Sequence, residues 1–286
     1  MRIKTALVVI LLPAILSAQE RVTVRGRIVN EKGEAVEYVQ VGVPKLQAGT
    51  ISTVDGCFEI DVPCDTLQFF HVSYQTASYP VTGPADDVVI VMHEQELPPA
   101  VLTGGDTREK YLVRPGTKVL GNLALGVFYR PDGAKGLELG SVAIVRKPFL
   151  IRDILFSIVS NHIPGCVASI NVYRIEGKPE TFINVLHKPV YVDIGMSDTP
   201  QDFDVQPEES ILLEPGRYFI AFRIVAVDED AVREYRSTPE PERVPNAMHM
   251  YTTLYFKSSY QRDAALGEFK HLPVNIGIAV KGLEYR

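Results

Sequence analysis

The sequence predicts an all-β chain built as two successive sandwiches, a small one of seven strands followed by a larger one. Three observations carry this expectation. Apolar residues recur at every second position over short runs, the period of a half-buried strand, and no run keeps the 3.6-residue period of a helix. The 21 glycines and 20 prolines supply the frequent turns that an all-β chain requires. With 286 residues, 46% of them hydrophobic, the chain is long enough for two ordinary cores.

The first 18 residues stand apart. Arg2 and Lys4 precede an apolar run from Ala6 to Leu16, and the small residues Ser17 and Ala18 follow it, which is the layout of a cleaved secretory signal. The run is too short to cross a bilayer as a stable helix, and no stretch of about 18 apolar residues recurs later. Export to the periplasm or the cell surface is expected, with no transmembrane segment in the mature chain.

Residues 19–96 form the expected first domain, with strands near 22–29, 37–44, 49–53, 57–62, 66–74, 77–82 and 87–92. Seven strands this close together fit a small antiparallel sandwich. A polar turn ends at Gly33. Strand-forming residues run into Asp55-Gly56, and alternation resumes at once with Phe58, Ile60 and Val62, the pattern of two antiparallel strands joined in a hairpin. Asp55 is read as a turn former, whose short side chain bonds to nearby backbone, and not as a metal ligand or an acid.

The order of these pieces resembles the carboxypeptidase regulatory-like domain of Bacteroidetes envelope proteins. Gly26 stands at that family's first-strand glycine, Gly33 in its first turn, Asp55-Gly56 in its central turn, Phe58 at the aromatic after it, and Tyr74 near its Gly-Tyr pair. Thr53 replaces the usual acidic partner of the turn, and Ser73 replaces the glycine before Tyr74. The resemblance implies a transthyretin-like Greek-key sandwich without catalytic activity.

Residues 97–106, with Pro98, Pro99, Gly104 and Gly105, read as a linker. Residues 107–286 alternate again along Ser141 to Arg146, around Ile154, Phe156 and Ile158, around Ala168, Ile170 and Val172, and along Tyr191 to Ile194, Tyr218 to Val227, Met250 to Lys257 and Val274 to Val280. Eight or nine long strands without helices suggest a larger sandwich, with a jelly roll as the expected form. Residues 232–246, rich in Glu, Arg and Pro, read as a long exposed loop.

Composition excludes some functions. The net charge is −6, and −8 once Arg2 and Lys4 are removed, with no basic run able to displace the counterions of a nucleic acid. Cys57, Cys64 and Cys166 are an odd set. Cys57 and Cys64 close one strand at opposite ends, about 23 Å apart, so they should not pair, and thiols packed as small apolar groups are expected. His93-Glu94-Gln95-Glu96-Leu97 approaches a zinc-protease motif but lacks its second histidine. No Gly-x-Ser-x-Gly, Cys-x-x-Cys or phosphate loop occurs. Asp198, Asp202 and Asp204, and separately Asp228-Glu229-Asp230, offer oxygen ligands for calcium but lack the twelve-residue loop of an EF-hand, so turn acids are the expected reading. Tyr251, Tyr255 and Tyr260 with Phe256 could form an aromatic platform.

No catalytic residue, metal site or cofactor is assigned. The expected function is that of a non-catalytic envelope protein, a binding or docking module for a partner protein or a glycan. The alternative is an envelope hydrolase acting on glycans, with its acid and base among Asp193, Asp202, Glu208 and Glu209.

Overall fold

The structure, a computed structural model, describes residues 21–44, 46, 48–95, 105–114, 124–128 (backbone only), 136–244 and 247–286. The expected signal segment and residues 97–104 of the expected linker lie outside them. The architecture is nearly all β.

Seven strands come first: β1 (Arg21–Asn30), β2 (Gln40–Val43), β3 (Ala48–Ile51), β4 (Cys57–Pro63), β5 (Thr66–Phe70), β6 (Ala77–Pro80) and β7 (Ala85–Met92). They make two sheets, β4-β1-β7 and β3-β2-β5-β6. Alternation sets which face is buried: along β4 the side chains of Phe58, Ile60 and Val62 turn inward, while Cys57, Glu59 and Asp61 face solvent. Between the sheets lies a core that includes Val24, Ile28, Val41, Leu67, Phe69 and Ile90.

Two expectations fail here. The sandwich is not wholly antiparallel, because β7 runs parallel to β1. β7 arrives from β6 in the opposite sheet and not through a hairpin from a neighbour, so nothing obliges it to reverse direction. Nor do the strands either side of Asp55-Gly56 pair as a hairpin, since β3 pairs with β2 and β4 pairs with β1. The turn itself is closed by Gly56 N–H to Thr53 O at 3.0 Å and Thr53 N–H to Cys57 O at 2.8 Å. The Thr53 hydroxyl, in the position where an acid was expected, accepts from Cys57 N–H at 3.1 Å. Ile28 N–H then donates to Gly56 O at 2.9 Å, so the chain leaves the turn on β1 and crosses between sheets.

Fourteen described strands follow: β8 (Thr107–Val113), β9 (Ala124–Phe128), β10 (Glu138–Val145), β11 (Phe149–Asn161), β12 (Cys166–Glu176), β13 (Thr181–Asn184), β14 (Val190–Ile194), β15 (Gln201–Val205), β16 (Ile211–Leu213), β17 (Gly216–Ala226), β18 (His249–Thr253), β19 (Ser259–Arg262), β20 (Lys270–Leu272) and β21 (Ala279–Tyr285). One sheet runs β13-β12-β17-β10-β19-β20 with β14 also on β12. The other runs β8-β21-β11-β18-β9 with β15 and β16 also on β11. The strands outnumber the expected eight or nine because short segments add to the long β11 and β12. Phe149, Ile154, Phe156, Ile170, Ile220 and Phe222 are among the side chains packed between these sheets.

The expected loop at 232–246 instead begins inside a helix, α1 (Glu229–Ser237), followed by a short 3-10 turn at Glu240–Glu242. The acidic triplet at its start explains why. Asp228 caps the helix, accepting from Asp230 N–H at 2.9 Å and Ala231 N–H at 3.1 Å. Glu229 and Asp230 lie in the first turn, where the helix dipole favours negative charge, and Val232 is buried beneath.

The two sets of sheets meet in a packed contact. Ile51 joins Val225 and Ala265 in a small apolar cluster, and Tyr38 sits edge-on to Tyr191 with ring centres 5.0 Å apart. His71 Nε2 lies 3.3 Å from the Tyr191 hydroxyl, and Ser73 donates to His187 O at 3.0 Å. Gly42 and Gly49 are register partners across β2 and β3, and the Ala265 backbone lies over them. A Cβ on Gly49 would come within 2.0 Å of Ala265 O.

Candidate functional site

The site is laid out by register on the outer face of the sheet containing β10, β12 and β17. Directly paired residues share a face. Pairing therefore places Ser169, Arg223, Glu138 and Arg262 in one row, Tyr173, Phe219 and Val142 in a lower row, and Ile175, Arg217 and Ile144 in the row below. Going down this face, the chemistry passes from buried charge to aromatic packing to an open basic cleft.

In the upper row Glu138 is fully buried. It accepts from Arg223, from Arg262 Nε at 2.6 Å, from the Tyr173 hydroxyl at 3.0 Å and from Asn171 Nδ2 at 3.0 Å. Burial pushes the Glu138 carboxyl up, but the two guanidiniums outweigh it and hold the group below the usual carboxylate range. Burial pushes the Tyr173 hydroxyl up to about 12. Arg262 also donates to Gln40 Oε1 on β2 at 3.1 Å and lies over the Phe269 ring at 4.6 Å. Gln40 on β2 and Phe269 both lie against this buried cluster. It is an ionic cluster of the second set of sheets, tied to the first by the hydrogen bond from Arg262 to Gln40.

Below it Tyr173, Phe219 and Tyr260 pack with Phe182 and Phe269. The Tyr260 hydroxyl donates to Glu180 Oε2 at 2.6 Å, and Arg217 pairs with Glu180 at 2.6 Å. Hydrogen bonds from Tyr260 and Arg217 hold the Glu180 carboxyl down.

Beyond Arg217 the face opens into a cleft of about 940 Å³ between β8 and the second half of β10. Among the described residues its cations are Lys110, Arg114, Arg146, Lys147, Arg217 and Lys257, and its one carboxylate is Glu284. Glu284 is held by Lys110, whose hydrogen bond lowers the carboxyl's pKa. Arg217 is committed to Glu180. Arg114, Arg146, Lys147 and Lys257 have no ion-pair partner among the described residues. Ile144, 63% exposed, and Tyr111, 39% exposed, add apolar surface.

No family model and no curated protein matches the sequence. Among solved structures, the chain is similar to a DUF3823 family protein from Parabacteroides merdae, at 10% identity and a TM-score of 0.21, over 89% of this chain and 97% of that one. It is also similar to the structure of infectious bursal disease virus Gt strain, at 10% identity and a TM-score of 0.28, over 96% of this chain and 57% of that one. The VP2 subviral particle of the same virus gives 11% identity and a TM-score of 0.26, over 96% and 62%. At such scores none of these likenesses bears on fold or function.

The residues singled out from sequence are scattered. Asp193 is exposed on β14, in one sheet, while Asp202 is on β15 in the other and accepts from the Ser157 hydroxyl. Glu208 and Glu209 line a separate cavity of about 210 Å³, where Lys188 pairs with Glu209 at 3.3 Å. Asp198 is bonded to His162 Nε2 at 2.8 Å. Among the described residues no three His, Cys, Asp or Glu side chains gather to hold a metal ion. His93 pairs with Glu31 at 2.6 Å just after β7. Tyr255 lies outside β18, Phe256 points to solvent, and Tyr260 belongs to the aromatic layer on β19, so the imagined platform is not assembled. Cys166 is buried, but Cys57 and Cys64 are exposed and do not pack as apolar groups. Gly33 and Gly56 adopt φ of +79° and +74°, with Asp55 at the turn between β3 and β4.

The cleft and the buried ionic cluster were not found from sequence. The cleft's cations come from four distant segments, and only the adjacent Arg146 and Lys147 hint at it. The cluster had a visible signal in Arg223, a lone charge inside the apolar run of β17.

Proposed function

We propose that this chain is an exported, non-catalytic binding protein of the cell envelope, with the basic cleft as its partner-facing surface. The first seven strands are read as a transthyretin-like Greek-key domain of the carboxypeptidase regulatory-like kind, covering residues 19–96. Residues 97–106 are read as the linker and 107–286 as the binding domain. The observation that carries the reading is the gathering of four cations, Arg114, Arg146, Lys147 and Lys257, without an ion-pair partner among the described residues, in one cleft of a chain whose net charge is −6. Such a surface steers and holds an anionic partner. Of the carboxylates named for a glycan hydrolase, Asp193 and Asp202 lie on different sheets, while Glu208 and Glu209 share a small cavity in which Glu209 is paired with Lys188.

Capture tests this. The mature chain, immobilised and exposed to solubilised envelope fractions, is expected to retain a glycan or protein that elevated salt elutes, without releasing new reducing ends. Release of reducing ends that disappears in Asp193→Asn, Asp202→Asn, Glu208→Gln or Glu209→Gln would establish the hydrolase instead. Export has its own test: the protein recovered from the envelope should have an intact mass lacking about the first 18 residues.

A further inference from the structure

The partner can be narrowed by the backbone that lines the cleft. Strand β10 pairs with β17 along all of Glu138–Val145, but on its other side it meets β19 only through Glu138 and Leu139. The Gly140 carbonyl, next on that side, is taken by the Ser259 hydroxyl. Main-chain groups alternate with a period of two, so Val142 and Ile144 aim their N–H and C=O the same way as Gly140. No described strand pairs with them there, although β8 runs nearby, and both residues line the cleft. Across the cleft, β8 pairs with β21 alone.

We propose that the cleft binds an extended acidic polypeptide segment of a partner protein, which adds as a strand to the free edge of β10. An exposed strand edge is a template for another strand, and main-chain hydrogen bonds supply affinity when an extended peptide is added to it. Arg146, Lys147 and Lys257 set the sign of the partner. They also disfavour pairing of this edge with the same edge of a second copy, which would bring the two sets of cations together. Exposed Ile144 gives an apolar contact for side chains at alternate peptide positions. An acidic glycan would answer the charge but would leave the β10 edge without its matching ladder. This proposal names the partner class for the binding-protein reading above and rests on it.

The test uses the mature chain and a labelled peptide of about seven residues alternating Val and Glu, a usual strand length, followed by fluorescence anisotropy. Binding is expected, and it should weaken with salt. The double variant Lys147→Glu/Lys257→Glu, both positions being exposed, should keep the wild-type melting curve and lose affinity about tenfold or more. N-methylating alternate peptide amides should abolish binding at unchanged charge. Ile144→Pro removes a free-edge donor at a position where proline is tolerated and should weaken binding similarly. Equal affinity for the N-methylated peptide would overturn the proposal, because charge alone would then account for binding. Binding of a polyuronate, sensitive to the double variant, with no peptide binding would also overturn it while leaving the binding-protein reading intact. Failure of both probes would remove the strand-addition proposal, and the capture experiment would then decide the broader reading alone.

Discussion

His71 is neutral in the folded chain because of its surroundings. Its Nδ1 accepts from Ser73 N–H at 3.2 Å, which leaves Nε2 to carry the proton toward the Tyr191 hydroxyl. A second proton would face the Ser73 N–H and would be buried, and burial accordingly lowers the pKa from 6.5 to about 4. Between those values the unfolded chain binds more protons than the folded one. Stability is therefore full above about pH 6.5 and falls as the pH drops toward 4, by up to about 3 kcal/mol. Urea melts across this window should show the slope, and His71→Gln should flatten it. Glu138 makes the opposite kind of demand. Glu138→Gln leaves two buried guanidiniums short of their anion, so a loss of about 3–5 kcal/mol is expected from denaturant melts. A loss under about 1 kcal/mol would mean that water reaches the cluster.

The turn at Thr53 to Gly56 shows what alternation reveals and what it hides. A glycine needing positive φ was legible from Asp55-Gly56, and so were the inward residues of β4. Which strand β4 would pair with was not, because alternation gives a strand its faces but not its neighbours. The same limit applied to β7, whose parallel pairing depends on its arriving from the other sheet. Helix α1 was missed for a different reason. It is nine residues long and mostly charged, its apolar face is only Ala231, Val232 and Tyr235, and its capping Asp228 reads equally as a turn acid. In the cleft, residues far apart in sequence are brought together by β8, β10 and the segment before β19, a proximity no local pattern contains. Two substitutions probe these elements. Gly56→Val should destabilise by at least about 1–3 kcal/mol, since a β-branched residue strains at this φ. Its Cβ would also meet Ile28 O at 2.4 Å. Asp228→Ala should cost about 1 kcal/mol through the lost cap. Both are read from the urea midpoint.

The expectation of a spacer and a binder that fold separately rests on two distinct cores, one including Val24 and Phe69 and the other Phe149 and Phe222. Against it stands the contact between them, where Arg262 reaches Gln40 and the Ala265 backbone rests on Gly42 and Gly49. Such a contact makes the assembly more cooperative than a flexible tether would, and it holds the β10 edge at a fixed angle to the first sheets. Residues 107–286 produced alone should fold to a β-type spectrum but melt below the full chain, since their Val225, Ala265 and Arg262 lose cover. Gly49→Ala separates the contributions. A Cβ there would strike Ala265 O at 2.0 Å, while a fragment of residues 19–96 contains no Ala265 to strike. Calorimetry should show the substitution lowering the full-chain transition, or splitting it in two, while leaving the melt of that fragment nearly unchanged. Equal effects on the fragment and the full chain would place the strain within β2 and β3 and remove the contact as the element that couples the two sandwiches.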